Sequence, residues 1–152
     1  NILYGVHGES EPAMTRAASI AQAADFIAEK AQRFDSRIAQ SGSNVSGGQR
    51  QRLSIARAIA KSPDILLFDD SFSALDYRTD AKLRSALKAE LKDSTLIIVA
   101  QRISTILHAE QIIVLDEGRI AGIGTHQDLL KSNQVYRQIA AAQLSEEGLN
   151  DA

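Results

Sequence analysis

Ser46-Gly47-Gly48-Gln49 stands directly before a run with apolar residues at helical spacing, Leu53, Ile55, Ala56, Ile59 and Ala60. Two glycines let the backbone approach a ligand closely, and the first free N–H groups of a helix lie at the positive end of its dipole. Such a junction can hold an anion, most naturally phosphate. The same four residues also suit a plain N-capped helix with a flexible lead-in. Further along, Ile65-Leu66-Leu67-Phe68 runs straight into Asp69-Asp70. This short, wholly apolar run has the pattern of a strand buried on both faces. It delivers two carboxylates to the strand's C-terminal edge, where ligands bind in open α/β sheets. One carboxylate there can hold Mg²⁺, and its neighbour can orient an attacking water. The competing reading is a strand followed by an Asp-rich helix cap.

The elements that must position these groups follow from periodicity and breakers. The Ala-rich stretch 11–33 predicts helix, with Ser10, Glu11 and Pro12 as its start, and 35–44 predicts a loop. A helix is expected from Ser46 to about Lys61, stopped by Pro63. The strand at 65–68, a helix from about Arg78 to Lys92 and a second buried strand at 95–100 follow. Ile112–Leu115 and Arg119–Ile123 flank the turn signal Asp116-Glu117-Gly118, which predicts a hairpin. Helical patterns at 128–130 and 135–142 close the chain before a polar tail from Ser145. Strands alternating with helices imply an α/β class with a mostly parallel sheet and flanking helices. The expected organisation is a helical-lobe part at 1–45, an α/β core at 46–144 and a polar tail at 145–152.

Composition narrows the classes. The chain has 152 residues, 44% hydrophobic and 24% charged, which suits one globular domain. A net charge of −2 argues against a nucleic-acid footprint, so Arg50, Arg52 and Arg57 are read as solvated helix faces. The absence of Cys excludes disulfides and thiolate metal sites. The longest apolar run, 96–100, is far below the roughly 20 residues of a membrane span. Asn1 in place of Met suggests an excised piece, and an attached membrane domain remains open. His7, His108 and His126 lack ligand-like spacing, and His126 is read as a cap of the following helix.

Taken in order, Ser46-Gly47-Gly48-Gln49-Arg50-Gln51-Arg52, Asp69-Asp70, Ser73-Ala74-Leu75-Asp76 and Gln101-Arg102-Ile103-Ser104-Thr105-Ile106 resemble the ATP-binding cassette (ABC) family, especially exporter-type nucleotide-binding domains. The resemblance implies a partial P-loop NTPase fold with ATP and Mg²⁺ as cofactors. It makes residues 46–50 the signature loop, Asp69 the metal-binding end of the Walker B strand, and Ser73 to Asp76 the D-loop. It places Asp70 at the water-activating position and Gln101 at the switch-histidine position. The implied partners are a second cassette and a fused or associated transmembrane domain, at the cytoplasmic face of the cell membrane, with no nucleic acid.

Departures from the family pattern sharpen that expectation. No G-x-x-x-x-G-K-[ST] occurs, so the chain is expected to carry only the downstream part of a domain and to bind ATP poorly alone. Asp70 stands where hydrolysing members have Glu, one methylene longer, and Gln101 cannot carry the proton of an imidazole. Together they imply the degenerate half of an asymmetric exporter with a non-identical partner, to whose ATP Ser46–Gln49 would be presented. Arg37 and Gln40 occupy places where exporters often carry glutamates that meet the membrane domain. Two rivals are the downstream lobe of a chromosome-maintenance or DNA-repair ATPase, and a non-catalytic binding remnant. Bared strand edges in the isolated chain imply self-association.

Overall fold

The computed structural model describes residues 1–6, 8 and 11–150, with 144–150 as backbone only. The expectations for His7 and for Ser10 as a helix start lie outside the described residues. Two compact units are present, Asn1–Ile97 and Ile98–Ala152.

In the first unit the Ala-rich stretch is two helices, α1 (Glu11–Ile20) and α2 (Ala24–Ala28). Gln22, at φ 55°, sits in the left-handed region and splits them, although the helical spacing runs on through it. The expected loop contains two 3₁₀ turns, Arg33–Asp35 and Gln40–Gly42. Asn44 ties that loop together: its Oδ1 accepts from the Ala39 N–H at 2.9 Å and its Nδ2 donates to the Arg37 carbonyl at 2.8 Å. Helix α3 (Gly47–Ala60) buries Leu53, Ile55, Ala56, Ile59 and Ala60, the predicted apolar stripe, and packs against α1. Strand β1 (Ile65–Asp69), helix α4 (Tyr77–Glu90) and strand β2 (Thr95–Val99) form a strand–helix–strand unit. β1 and β2 are neighbours in one two-stranded sheet. The Thr95 N–H donates to the Asp64 carbonyl at 2.8 Å, so start lies beside start and the strands run the same way.

β1 and β2 correct the expectation of strands buried on both faces. Leu66 and Phe68 are buried, whereas Ile65 and Leu67 are 62% and 66% exposed, and Ile97 and Val99 are exposed on β2. No described element covers the second face, so a continuous apolar run here is half-exposed.

In the second unit a four-residue helix that periodicity did not signal, α5 (Ile103–Ile106), precedes the hairpin of β3 (Ile112–Asp116) and β4 (Arg119–Gly124). Glu117 at φ 46° and Gly118 at φ 74° make the two-residue turn that matches strand twist. The strands pair antiparallel, Ile113 opposite Ile123 and Leu115 opposite Ile120, with an irregularity after Val114. Ile112 and Val114 face inward and join Ile103, Leu129, Tyr136 and Ala140 in one core. Gly124 allows close approach, since a Cβ there would meet Asp128 Cβ at 3.3 Å. Helix α6 (His126–Ser132) starts at Thr125, whose Oγ1 and backbone N–H exchange hydrogen bonds with Asp128. Thr125 is therefore the cap expected of His126; the His126 ring instead shares a 2.8 Å hydrogen bond between Nδ1 and the Tyr136 hydroxyl. Helix α7 (Gln134–Asn150) runs into the stretch expected as a polar tail, whose last two residues lie outside the described ones.

Candidate functional site

Ser46 ends the preceding loop in an extended conformation, φ −67° and ψ 165°, and caps α3 with a reciprocal pair. Its Oγ accepts from the Gln49 N–H at 3.1 Å, while Gln49 Oε1 accepts from the Ser46 N–H at 3.1 Å. Gln49 is thus partly engaged in holding the turn. Gly47 and Gly48 fill the first positions of the helix, and their N–H groups have no acceptor among the described residues. An added Cβ on Gly48 would come within 3.0 Å of the Ala74 carbonyl, so glycine is what lets the segment after β1 lie against the helix start.

Asp69 closes β1 and Asp70 follows in a turn, both carboxylates exposed. Asp70 has φ 47°, a left-handed conformation that Asp tolerates better than most residues and that costs about 1 kcal/mol or more. The Asp70 carbonyl is the hub of that turn. It accepts from Ser73 Oγ at 3.0 Å and from Gln51 Nε2 at 3.3 Å. Gln51 Nε2 also reaches Ser73 Oγ at 3.3 Å, and its Oε1 accepts from the Ala74 N–H at 3.1 Å. The sequence places Gln51 within the motif run but assigns it no role of its own. The available signal was its position one turn after Gly47 and Gly48, on the same helix face.

Asp76 caps α4, accepting from the Thr79 N–H at 2.9 Å and the Thr79 hydroxyl at 2.7 Å. Those bonds, the hydroxyl's foremost, hold its carboxyl below the ordinary value. Ser46, Gly47, Gly48, Gln49, Asp69, Asp70, Ser73 and Asp76 all belong to the first unit, and Gln51 draws the helix start and the 70–74 turn together. Gln101 belongs to the second unit. Its carbonyl accepts from Gln143 Nε2 at 2.6 Å, and Gln143 Oε1 accepts from the Ile103 N–H at 2.6 Å.

Arg52 and Arg57 are half-buried anchors, correcting their reading as solvated faces, whereas Arg50 is exposed as expected. Arg52 lies 4.8 Å over the Phe26 ring and donates to the Gln22 carbonyl at 2.6 Å. Burial depresses its pKa, with Asp76 and Asp25 opposing that shift. Arg50 donates to the Ser41 carbonyl at 2.9 Å, and Arg57 to Asn1 Oδ1 at 3.0 Å. No group of three His, Asp or Glu side chains forms a metal cage among the described residues. The exposed Asp69–Asp70 pair suits Mg²⁺, which takes one or two carboxylates and fills its shell with waters and phosphate oxygens. No described helix is long and apolar enough to cross a membrane.

The family model for ABC transporters matches residues 6–73, a span that includes the α3 junction and both aspartates. An ABC transporter ATP-binding protein of Mycobacterium tuberculosis is 47% identical over 146 residues, covering 94% of this chain and 25% of that protein. An ATM1-type heavy metal exporter of Novosphingobium aromaticivorans is 43% identical, over 96% of this chain and 24% of that one. The structure of a bacterial Atm1-family ABC exporter with ATP bound superposes with a TM-score of 0.89 at 43% identity, over 94% of this chain and 25% of the other. The chain belongs to the ABC transporter family and carries part of its ATP-binding domain, with part of the ABC ATPase fold. It spans about a quarter of the length of these relatives.

Proposed function

We propose that this chain is the downstream part of the ATP-binding domain of an ABC exporter, working with ATP and Mg²⁺ at the cytoplasmic face of a membrane. The observation that carries the reading is the α3 junction. Ser46 and Gln49 brace the turn with a reciprocal pair of hydrogen bonds, and the N–H groups of Gly47 and Gly48, without an acceptor among the described residues, lie at the positive helix end, the chemistry of a phosphate clasp. In this reading Ser46–Gln49 embrace ATP bound on a second cassette. Ser73 and Asp76 border the same junction, in the segment read as the D-loop.

Asp69 would hold Mg²⁺, which supplies charge neutralisation at the phosphates when bound. Asp70 orients water beside the Mg²⁺ of the first unit's site, and Gln101, in the second unit, stands at the switch-histidine position; neither can do the work of Glu and His. That site is therefore slow or non-hydrolytic, and the partner cassette is non-identical. The division 1–45 as helical-lobe part and 46–144 as core belongs to the same reading. Closure of the two cassettes over ATP drives an attached or associated transmembrane domain, and the cargo is exported. Names of the relatives favour this over a chromosome-maintenance lobe: a heavy metal exporter and an ATP-dependent lipid A-core flippase of Hahella chejuensis are among them.

The test uses the full-length parent with its partner cassette. Ser46→Arg should cut ATP turnover on the order of 10²-fold, as loss of a preorganised phosphate clasp does. Asp70→Asn should leave turnover within about twofold, because its carboxylate is not the base at the active site. Equal, large losses from both would overturn the asymmetric assignment.

A further inference from the structure

Gln143 sits on α7 at the end of an apolar stripe, Tyr136 and Ala140 preceding it by seven and three residues on one helix face. Tyr136 and Ala140 are 2% and 1% exposed, so the helix is fixed in the core of its unit where Gln143 emerges. Arg102 is extended, φ −106° and ψ 128°, so the carbonyl of Gln101 and the N–H of Ile103 point to the same side. The planar carboxamide of Gln143 meets both, as a neighbouring strand would, at 2.6 Å each. Arg102 provides no side-chain cap for α5, so the first N–H of that helix is satisfied from α7 across 40 residues of sequence.

We propose that Gln143 is a positioning residue that sets the backbone of the Gln101–Ile103 segment, making α7 part of the loop that addresses the nucleotide. The inference rests on the reading of Gln101 as a phosphate-bonding group. Gln143 acts through that loop: with the clamp, the Gln101 side chain leaves a fixed backbone; without it, the loop samples other directions and holds phosphate less well.

The test compares wild type, Gln143→Ala and Gln143→Glu in the full-length parent by amide hydrogen exchange and steady-state ATP turnover. Gln143→Ala should speed exchange across 101–106 about tenfold while the β3–β4 hairpin stays unchanged. Because turnover at the partner's site requires the two cassettes to close with ATP in both sites, it should raise KM for ATP about fivefold with kcat within about twofold, the split expected when binding geometry is loosened. Gln143→Glu keeps the acceptor for Ile103 but offers the Gln101 carbonyl a proton only when its carboxyl is protonated. Its KM relative to wild type should therefore recover as pH is lowered, whereas a purely packing role leaves that ratio flat. Exchange at 101–106 unchanged in Gln143→Ala, or raised equally in the hairpin, overturns the clamp. Raised exchange with unchanged KM overturns the positioning role. A wild-type parent that turns over no ATP defeats the functional reading instead, and the exchange contrast then decides the clamp by itself.

Discussion

Arg52 shows how a charged side chain on α3 can brace the glycine junction instead of facing solvent. Its guanidinium covers the Phe26 ring and donates to the Gln22 carbonyl, in the turn where Gln22 takes a left-handed conformation. It also donates to the Gly48 carbonyl at 3.3 Å, inside the glycine junction. Lysine would keep the charge but lose the flat, forked head that stacks and bonds in two directions at once. Arg52→Lys should therefore lower the stability of the parent protein by about 1–2 kcal/mol. Chemical denaturation measures it, and an unshifted midpoint would show the anchor to be dispensable. This role was hidden in the sequence because Phe26 and Gln22 lie far upstream. A charge on a helix otherwise polar between its apolar positions looks solvated. The glycines, by contrast, were legible, since Ser46-Gly47-Gly48 carries its own capping chemistry.

At the scale of elements, capping decides where α4 and α6 begin, and two exposed carboxylates make those caps sensitive to acid. Asp76 bonds to Thr79 and Asp128 to Thr125, and each carboxyl lies below its ordinary value of 3.8 chiefly because the threonine hydroxyl favours the ionised form. A lowered folded pKa means the stabilisation is complete above the unfolded value and is lost as pH falls through the lower folded one. Thermal unfolding of the parent between about pH 6 and pH 2 should show Asp128→Asn declining less steeply than wild type toward the acid end. Parallel curves would remove Asp128 from the acid response. Helices with both a cap and a full apolar stripe, such as α3, were readable to within a residue. The four-residue α5 was not, because one turn carries no period, and its first N–H is satisfied by Gln143 rather than by a local cap. The split of the Ala-rich stretch was equally silent. Its apolar spacing continues through Gln22, and only the left-handed backbone there separates α1 from α2.

Over the whole molecule, the largest disagreement between pattern and structure is where apolar side chains end. β1 read as a strand covered on both sides, yet Ile65 and Leu67 are exposed, and on the hairpin Ile113, Leu115, Ile120 and Ile123 are each more than half exposed. The hairpin register puts Ile113 beside Ile123 and Leu115 beside Ile120, so these four make one continuous apolar face. A soluble monomer rarely leaves contiguous faces of this kind in water. The sequence was written for two-sided burial, and the described residues supply one side. The relatives are about four times longer than this chain. The isolated 152-residue chain should cover these faces with copies of itself, through strand edges or exchanged elements. Light scattering at rising concentration should give a mass above that of one chain. Leu67→Glu with Leu115→Glu should bring it back toward the monomer, because each puts a charge into the middle of an apolar face. A wild-type chain that stays monomeric at high concentration would mean that these faces tolerate water, and the two-sided reading of β1 would lose its physical basis.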